Sequence, residues 1–303
     1  MKQTNTVINI HDLTKKFGSF TALDKLNLQV DRGEVHGFLG PNGSGKSTTI
    51  RVLLGLLKKT SGNVELLGSE PWHNSVELHR RLAYVPGDVN LWPGLSGGEC
   101  IDLLGDLRGG LDEAKRKDLL EKFNLDPTKK FRTYSKGNKQ KVALVAAFAS
   151  DVELYILDEP TSGLDPLMEA VFQDYIADSK SQGKTVLLSS HILAEVEALC
   201  DRVTIIRDGQ TVETGKLRDL QKLQRTNFEI ETNKSAVALA KTHGVHEFKD
   251  DEGKITFEVE PKYLSEVAKK IASLELTHIT SHPPKLEEVF LRHYDHKSTT
   301  REQ

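Results

Sequence analysis

Cysteine is scarce in this chain of 303 residues: only Cys100 and Cys200 occur, far apart and without histidines at the spacing of a zinc site. Two isolated cysteines argue against a disulfide framework and fit a protein of a reducing cytosol. The first residues, 1–13, lack the apolar core of a secretion signal. We therefore expect an intracellular protein without structural disulfides.

Long hydrophobic runs are absent as well. The longest, residues 142–149, has the length of a buried helix segment, whereas about 20 apolar residues are needed to cross a bilayer. Any membrane role is therefore expected to require a separate membrane subunit.

An excess of one charge is also missing, since 41 Lys and Arg stand against 44 Asp and Glu, for a net charge of −3. No long basic block occurs, so we expect no nucleic acid partner. The hydrophobic content of 37% predicts a packed core. The length allows one large domain, or a large one with a small one.

The pattern of strands and helices indicates an α/β domain over residues 1–215. Strand patterns fill residues 6–39, and strands alternate with helices after residue 150, which predicts a mostly parallel sheet. Between these parts, about 88–150, helical patterns predict a helical subdomain. The three helices expected there cover about 96–107, 112–123 and 135–150.

The character of the chain changes after Gly215. Residues 216–226 read as a polar connector, and residues 227–295 follow the order β-α-β-β-α-β, which is typical of a small ferredoxin-like domain. A last helix is expected at 286–294, and residues 296–303 are expected to be a disordered tail.

A short apolar strand runs into a glycine-rich loop that precedes a helical pattern. The residues that match G-x-x-x-x-G-K-[ST] are Gly40, Pro41, Asn42, Gly43, Ser44, Gly45, Lys46 and Ser47. Such a loop wraps backbone N–H groups around a triphosphate. Lys46 is expected to reach the β- and γ-phosphates, Ser47 to hold Mg²⁺, and Thr48 to contact the α-phosphate.

A second apolar strand, residues 154–158, ends in two carboxylates. Asp158 is expected beside the Mg²⁺ site, and Glu159 where it could activate a water for attack on the γ-phosphate. An acidic strand end by itself is often only a solvated terminus, but together with the phosphate loop it predicts a nucleoside triphosphatase.

Together these motifs resemble those of the ATP-binding subunits of ABC transporters, of the multidrug and antibiotic exporter type. The resemblance covers about residues 6–215 and includes Asp158 to Pro166, which resembles the family's acidic strand and D-loop, and Ser189 to His191, which resembles its switch histidine. It implies a P-loop NTPase cassette with a mixed sheet core, an antiparallel β subdomain and a helical subdomain. A small C-terminal α+β ferredoxin-like domain follows, with a dimerisation or regulatory role.

Further site residues are implied by this resemblance. Phe17 takes the position of the aromatic side chain that stacks on adenine, with Phe20 as the weaker candidate. His191 takes the position that hydrogen-bonds the γ-phosphate, and Asp165 the D-loop position that shapes the dimer interface.

Two strings compete for the family's signature, which contacts the ATP of the opposite subunit. Ser96 to Glu99 is closer to the family consensus in spelling, but it lies too far before Asp158 and forms the pattern of a capping box. The other string leads through one helix and a short loop to Asp158. We assign the signature to Ser135, Lys136, Gly137 and Asn138, with Lys136 and Asn138 in place of the family's glycine and glutamine.

The chain departs from the family where a glutamine usually contacts Mg²⁺ and the attacking water. Gly87 stands there, followed by Asp88. Either a water or Asp88 could take over that role. The next residues, up to Pro93, resemble the surface that receives the membrane partner, and Trp92 is either an interface anchor or part of the helical subdomain.

The resemblance implies an ATPase that uses ATP and Mg²⁺ and converts ATP and water to ADP and phosphate. It implies a homodimer, with a heterodimer left open, on the cytoplasmic face of the membrane and bound to an integral membrane permease. The expected function is to power export of a drug, antibiotic or lipid-like compound. The alternative is a regulator that binds ATP without transport turnover.

Overall fold

The computed structural model describes residues 5–222, 225–232, 234–251 and 253–282. The chain divides into two compact units that meet between Thr214 and Gly215. The helix and the tail expected beyond residue 282 lie outside the described residues.

A three-stranded antiparallel sheet forms the first layer of the larger unit. Its strands are β1 (Thr6–Phe17), β2 (Phe20–Asp31) and β4 (Ser61–Leu66), in the order β2-β1-β4. Apolar residues such as Ile8, Leu26 and Leu66 are buried and alternate with exposed positions. This alternation is what a sheet with one covered face requires.

A six-stranded sheet carries the phosphate loop and the acidic strand. Its order is β5-β6-β7-β3-β8-β9, and parallel pairing joins the first five of these strands. The strands are β3 (Val35–Leu39), β5 (Leu82–Val85), β6 (Leu154–Asp158), β7 (Thr185–Ser190), β8 (Arg202–Arg207) and β9 (Gln210–Lys216). Every residue of β3, β6 and β7 is buried, as expected for central strands covered on both faces.

Seven helices lie in the larger unit within the described residues, and an eighth begins the smaller unit. They are α1 (Lys46–Leu53), α2 (Pro71–Arg81), α3 (Gly97–Asp106), α4 (Glu113–Lys122), α5 (Lys136–Phe148), α6 (Pro166–Ser181), α7 (Leu193–Leu199) and α8 (Leu217–Lys222). Helices α3, α4 and α5 form the expected helical subdomain, and residues 142–149 are all buried, as predicted.

Helix α2 has no counterpart in the sequence analysis. Its start is marked by Pro71 at the first turn and by Glu70, whose side chain accepts a hydrogen bond from the N–H of His73. Only Pro71 and Leu78 are buried along it. Asn74, with a φ of −119° and a ψ of 22°, interrupts the helical geometry within it.

The smaller unit has the predicted ferredoxin-like topology. Its elements are β10 (Thr226–Thr232), α9 (Val237–Ala240), β11 (Val245–Asp251), β12 (Lys254–Val259), α10 (Leu264–Ala272) and β13 (Leu276–His282). The four antiparallel strands have the order β11-β12-β10-β13. Phe228 and Phe257 are register partners with stacked rings, and they pack in one core with Ile271 of α10.

Within the described residues, no helix combines the length and the apolar character needed to cross a membrane.

Candidate functional site

The glycine-rich loop links the buried strand β3 to helix α1 and leaves no room for side chains at two positions. A Cβ atom on Gly40 would lie 2.4 Å from the carbonyl oxygen of Ile206, and one on Gly45 would lie 2.7 Å from a methyl group of Leu23. Gly45 also has a φ of 112°, which is in the range that favours glycine. The loop therefore lies tightly on the protein and presents backbone N–H groups at the start of α1.

Lys46, the first residue of α1, is almost fully buried. Its Nζ donates to the carbonyl oxygens of Gly40 at 2.7 Å and Pro41 at 3.2 Å and lies 3.8 Å from Oε1 of Glu159. Burial lowers the pKa of Lys46, and the nearby carboxylates of Glu159 and Asp158 oppose this only in part. A buried ammonium with few anionic partners provides a place for a phosphate.

Asp158, at the end of β6, joins the loop to the neighbouring strand. Its carboxylate accepts a hydrogen bond from Ser47 Oγ at 2.9 Å and another from the Ser189 hydroxyl. Ser189 was not predicted as a site residue. It faces Asp158 as its register partner on β7, and sequence alone does not give that register.

The residues present fit a Mg²⁺ ion that is held mainly by a nucleotide. No cluster of three or more His, Cys, Asp or Glu that could hold a metal occurs in the described ranges. Ser47 and Asp158 provide two oxygen ligands, and Mg²⁺ commonly takes one or two protein oxygens together with phosphates and water. The buried Ser44 hydroxyl, also in the loop, has no hydrogen-bond partner, as expected if a phosphate oxygen supplies one.

Glu159 and His191 lie together at the edge of this site. Nδ1 of His191 is 3.1 Å from Oε1 of Glu159, and the Glu159 N–H donates to the carbonyl oxygen of Ser189. Glu159 has a φ of 48°, in the left-handed region, a conformation that is uncommon away from glycine and often found at functional sites. The carboxylate is thus aimed back at the loop rather than along the strand.

A cavity lies over the glycine-rich loop. Its lining residues are Phe20, Ala22, Asn42, Gly43, Gly45, Lys46, Ser47, Thr48 and Glu159. Phe20 is 66% exposed and lines the cavity, whereas Phe17, 49% exposed, does not and lies under Nζ of Lys15. The geometry therefore favours Phe20 over Phe17 as the aromatic side chain next to the loop.

The two competing serine strings differ in their surroundings. Ser96 and Glu99 form a complete capping box at the start of α3, as predicted: the Glu99 N–H donates to the Ser96 side chain, and the Ser96 N–H donates to Glu99. Ser135 caps α5 by accepting from the N–H of Asn138 at 3.3 Å. No residue that lines the cavity comes from either string.

The start of α5 packs against the loop that follows Glu159. Nζ of Lys136 donates to Ser162 Oγ at 2.7 Å, and a Cβ on Gly137 would lie 2.3 Å from the carbonyl oxygen of Gly163. This close approach explains why Gly137 has to be a glycine. The same loop leads to Asp165, which is exposed and caps α6 by accepting from the N–H of Met168 at 3.0 Å.

Gly87 lies directly beside the acidic strand end. A Cβ at this position would be 3.1 Å from the carbonyl oxygen of Asp158 and 3.5 Å from Cβ of Glu159. The side chain of Asp88 accepts a hydrogen bond from Asn90 at 3.0 Å. Trp92, for which two roles were expected, keeps 42% of its surface exposed.

An apolar groove lies next to this segment. It is lined by Leu54, Leu56, His79, Leu82, Tyr84, Pro86, Val89, Leu91, Leu104, Leu107, Arg108 and Ala143. Its walls come partly from β5 of the six-stranded sheet and partly from α3 of the helical subdomain. Leu56 and Leu107 in its lining are 62% and 64% exposed.

The fold and this site define a P-loop nucleoside triphosphatase, and comparison with known proteins narrows the class. The family model described as ABC transporter matches residues 23–162, and the one described as ATP-binding protein DrrA1-3-like, C-terminal domain, matches residues 215–294. The bacitracin transport ATP-binding protein of Enterococcus faecalis is 32% identical over 292 residues, which cover 94% of this chain and 95% of that protein. Its Bacillus licheniformis counterpart is 36% identical over 250 residues, which cover 80% and 82%.

Solved structures agree with this assignment. The ATP-binding subunit of an ABC transporter superposes with a TM-score of 0.67 and 34% identity, over 72% of this chain and 92% of that one. A dimeric ATP-binding cassette bound to ADP and Pi gives a TM-score of 0.63 and 26% identity, over 70% and 99%. The chain belongs to the ATP-binding subunits of ABC transporters, a family that couples ATP hydrolysis to transport through membrane permeases.

The two N-cap serines allow a matched test of the signature assignment. We expect Ser96→Ala and Ser135→Ala each to lower the free energy of unfolding by about 1 kcal/mol, because each removes a helix cap. Only Ser135→Ala is expected to lower ATP turnover as well. Urea unfolding and phosphate release measure the two effects, and a loss of turnover in Ser96→Ala alone would reverse the assignment.

Replacing Lys46 by Met tests the buried ammonium. Without nucleotide, the melting temperature of the variant should be unchanged or raised, because burial already disfavours the charged form of this lysine. ATP at 100 times its Kd should stabilise the wild type by about 2.7 kcal/mol and leave the variant unaffected. Thermal denaturation with and without ATP checks this, and an equal ATP effect on both proteins would contradict it.

Gly87→Gln tests whether the glycine is required. The backbone of Gly87 is not in the left-handed range, so the main cost of a side chain is the 3.1 Å contact with Asp158. We expect ATP turnover to stay within about tenfold of the wild type, since water can replace a direct contact. Gly87→Ala is the control for crowding. A complete loss in Gly87→Gln together with normal turnover in Gly87→Ala would disprove the expectation.

Proposed function

We propose that this chain is the ATP-hydrolysing subunit of an exporter and that Glu159 is its general base. The observation that carries the proposal is the position of Glu159, hydrogen-bonded to His191 at 3.1 Å and 3.8 Å from Nζ of Lys46. A carboxylate in this place can accept a proton from a water that attacks the terminal phosphate.

The other side chains bind and orient the nucleotide. The loop N–H groups, Lys46 and the Ser44 hydroxyl hold the phosphates, and the exposed ring of Phe20 provides a face for the adenine, a role in which Phe17 is the alternative. Ser47 and Asp158 hold Mg²⁺, which neutralises charge that develops on the β- and γ-phosphates. His191 donates to the γ-phosphate and keeps Glu159 oriented.

A second copy of the chain is needed to complete each site. Ser135, Lys136, Gly137 and Asn138 do not line the cavity over their own loop. In the proposed homodimer the exposed Ser135 hydroxyl and the N-terminal N–H groups of α5 meet the γ-phosphate of the other copy. Asp165 lies in the loop beside this helix and takes part in the same interface. Since one chain contains both halves of a site, a homodimer is preferred over a heterodimer.

The membrane permease is the second proposed partner. The segment from Asp88 to Pro93 and the adjoining apolar groove present exposed leucines and Trp92, which suit contact with another protein. We accordingly propose a peripheral subunit at the cytoplasmic face of the membrane. ATP closes the dimer, and hydrolysis opens it again and so moves the permease.

A drug or antibiotic is the proposed substrate class. The support is the similarity, over nearly the whole length, to a protein named for bacitracin transport. The C-terminal unit also matches the family model described as ATP-binding protein DrrA1-3-like, C-terminal domain. For this unit we propose a dimerisation or regulatory role.

Glu159→Gln tests the proposal against the alternative of a regulator that binds ATP without turnover. We expect the variant to bind ATP normally and to lose at least about 100-fold in turnover, as for loss of a general base. Phosphate release and ATP binding by the purified chain measure this, with the exposed Glu121→Gln as the control. A wild-type chain that binds ATP without releasing phosphate would favour the regulator.

A further inference from the structure

Glu195 is a buried carboxyl group that the proposed chemistry does not use. It lies in α7, shortly after His191 in the sequence, and only 6% of its surface is exposed. Burial raises the pKa of Glu195, and the hydroxyl groups of Ser190 and Thr161 oppose this only in part. The charged groups that act on it are Glu169 and His191, with opposite signs. No lysine or arginine within the described ranges forms an ion pair with it.

One oxygen of Glu195 holds the turn that carries His191. The Ser190 hydroxyl donates to Oε2 of Glu195 and accepts from the N–H of Ile192 at 2.9 Å. Ser190 and Ile192 flank His191 on its two sides. A single hydroxyl therefore ties both ends of the turn together, and the bond to Glu195 fixes its orientation.

The same carboxyl group lies near the segment that follows Glu159. The Thr161 hydroxyl is one of the groups that lower the pKa of Glu195, and Thr161 is 8% exposed. Thr161 belongs to a tight turn in which the Ser162 N–H donates to the carbonyl oxygen of Glu159 and the Leu164 N–H donates to that of Thr161. Glu195 is thus hydrogen-bonded to the turn that carries His191 and lies near the turn that follows Glu159, and the side chains of Glu159 and His191 meet at 3.1 Å.

Helix α7, which carries Glu195, is packed tightly against the sheet. Val196, the next residue, is fully buried, and a Cβ on Gly37 of strand β3 would lie 2.8 Å from its Cγ1. The helix therefore packs against the strand that leads into the phosphate loop, with no space between them. A side chain anchored in this way can position its neighbours without moving itself.

The surroundings of Glu195 do not suit a residue kept for stability. Its second oxygen, Oε1, is buried and has no hydrogen-bond partner among the described residues. An unsatisfied buried polar atom costs stability, and replacing such a group by an apolar side chain of similar volume is often neutral or stabilising. A carboxyl group at this place is therefore explained by what it orients.

We propose that Glu195 is a positioning residue that keeps His191 within hydrogen-bonding distance of Glu159 by orienting the Ser190 hydroxyl. The inference rests on the proposed ATPase function and adds to it a residue that does not contact ATP.

The test compares Glu195→Met, which has a similar length but cannot hydrogen-bond, with Glu195→Gln, whose amide oxygen can still accept from Ser190. We expect kcat for ATP to fall about tenfold or more in Glu195→Met, since small displacements of catalytic groups are costly. The KM for ATP and the melting temperature should be unchanged, or the latter raised. Glu195→Gln should restore turnover to within about twofold of the wild type.

Ser190→Ala distinguishes positioning from a general effect on the fold. If Glu195 acts through this hydroxyl, the double variant Ser190→Ala with Glu195→Met should be no slower than the slower single variant, because the two changes break one pathway. Glu197→Met on the same helix is the matched control and should keep wild-type kcat.

Three results would overturn the inference: normal kcat in Glu195→Met, equal losses in Glu195→Met and Glu195→Gln, or multiplicative losses in the double variant. A wild-type chain without any ATPase activity would instead overturn the proposed function. The two failures are thus told apart by the wild type alone.

Discussion

The carboxylate of Asp158 is the contact that holds the candidate site together. It ends a strand that is buried at every position and paired in parallel on both sides, so it has little freedom to move. From there it accepts hydrogen bonds from Ser47 of the phosphate loop and Ser189 of the next strand. Three segments that are far apart in the sequence meet at this one group. The loop, Glu159 and His191 consequently keep their relative places through the sheet.

The parts of this arrangement that the sequence could predict are those that depend on local chemistry. The phosphate loop, the capping box at Ser96 and the order of elements in the C-terminal unit depend on residues within a few positions of each other. The bond between Ser189 and Asp158 depends on strand register, and the position of Phe20 over the loop depends on how β2 is placed. Helix α2, which Asn74 interrupts with non-helical φ and ψ, was not predicted.

The two serine strings differ in their surroundings more than in their local role. Ser96 and Ser135 each cap a helix through the same type of hydrogen bond. What separates them is tertiary structure, because Gly137 packs against Gly163 and Lys136 bonds Ser162, in the loop that joins Glu159 to Asp165. The start of α5 is thereby connected to the acidic strand end, and the start of α3 is connected to other parts of its own subdomain, such as the carbonyl oxygens of Pro127 and Lys129.

Charge balance suggests an order of events at the site under the proposed function. Glu159 lies 3.8 Å from Nζ of Lys46 and 3.1 Å from Nδ1 of His191. Burial disfavours the charged form of Lys46 and lowers its pKa. A triphosphate at hydrogen-bonding distance is therefore a better partner for Lys46 than the more distant carboxylate of Glu159. Once the phosphates pair with Lys46, the Glu159 carboxylate no longer shares that ammonium and is free to accept a proton from water. Nucleotide binding therefore prepares the proposed base.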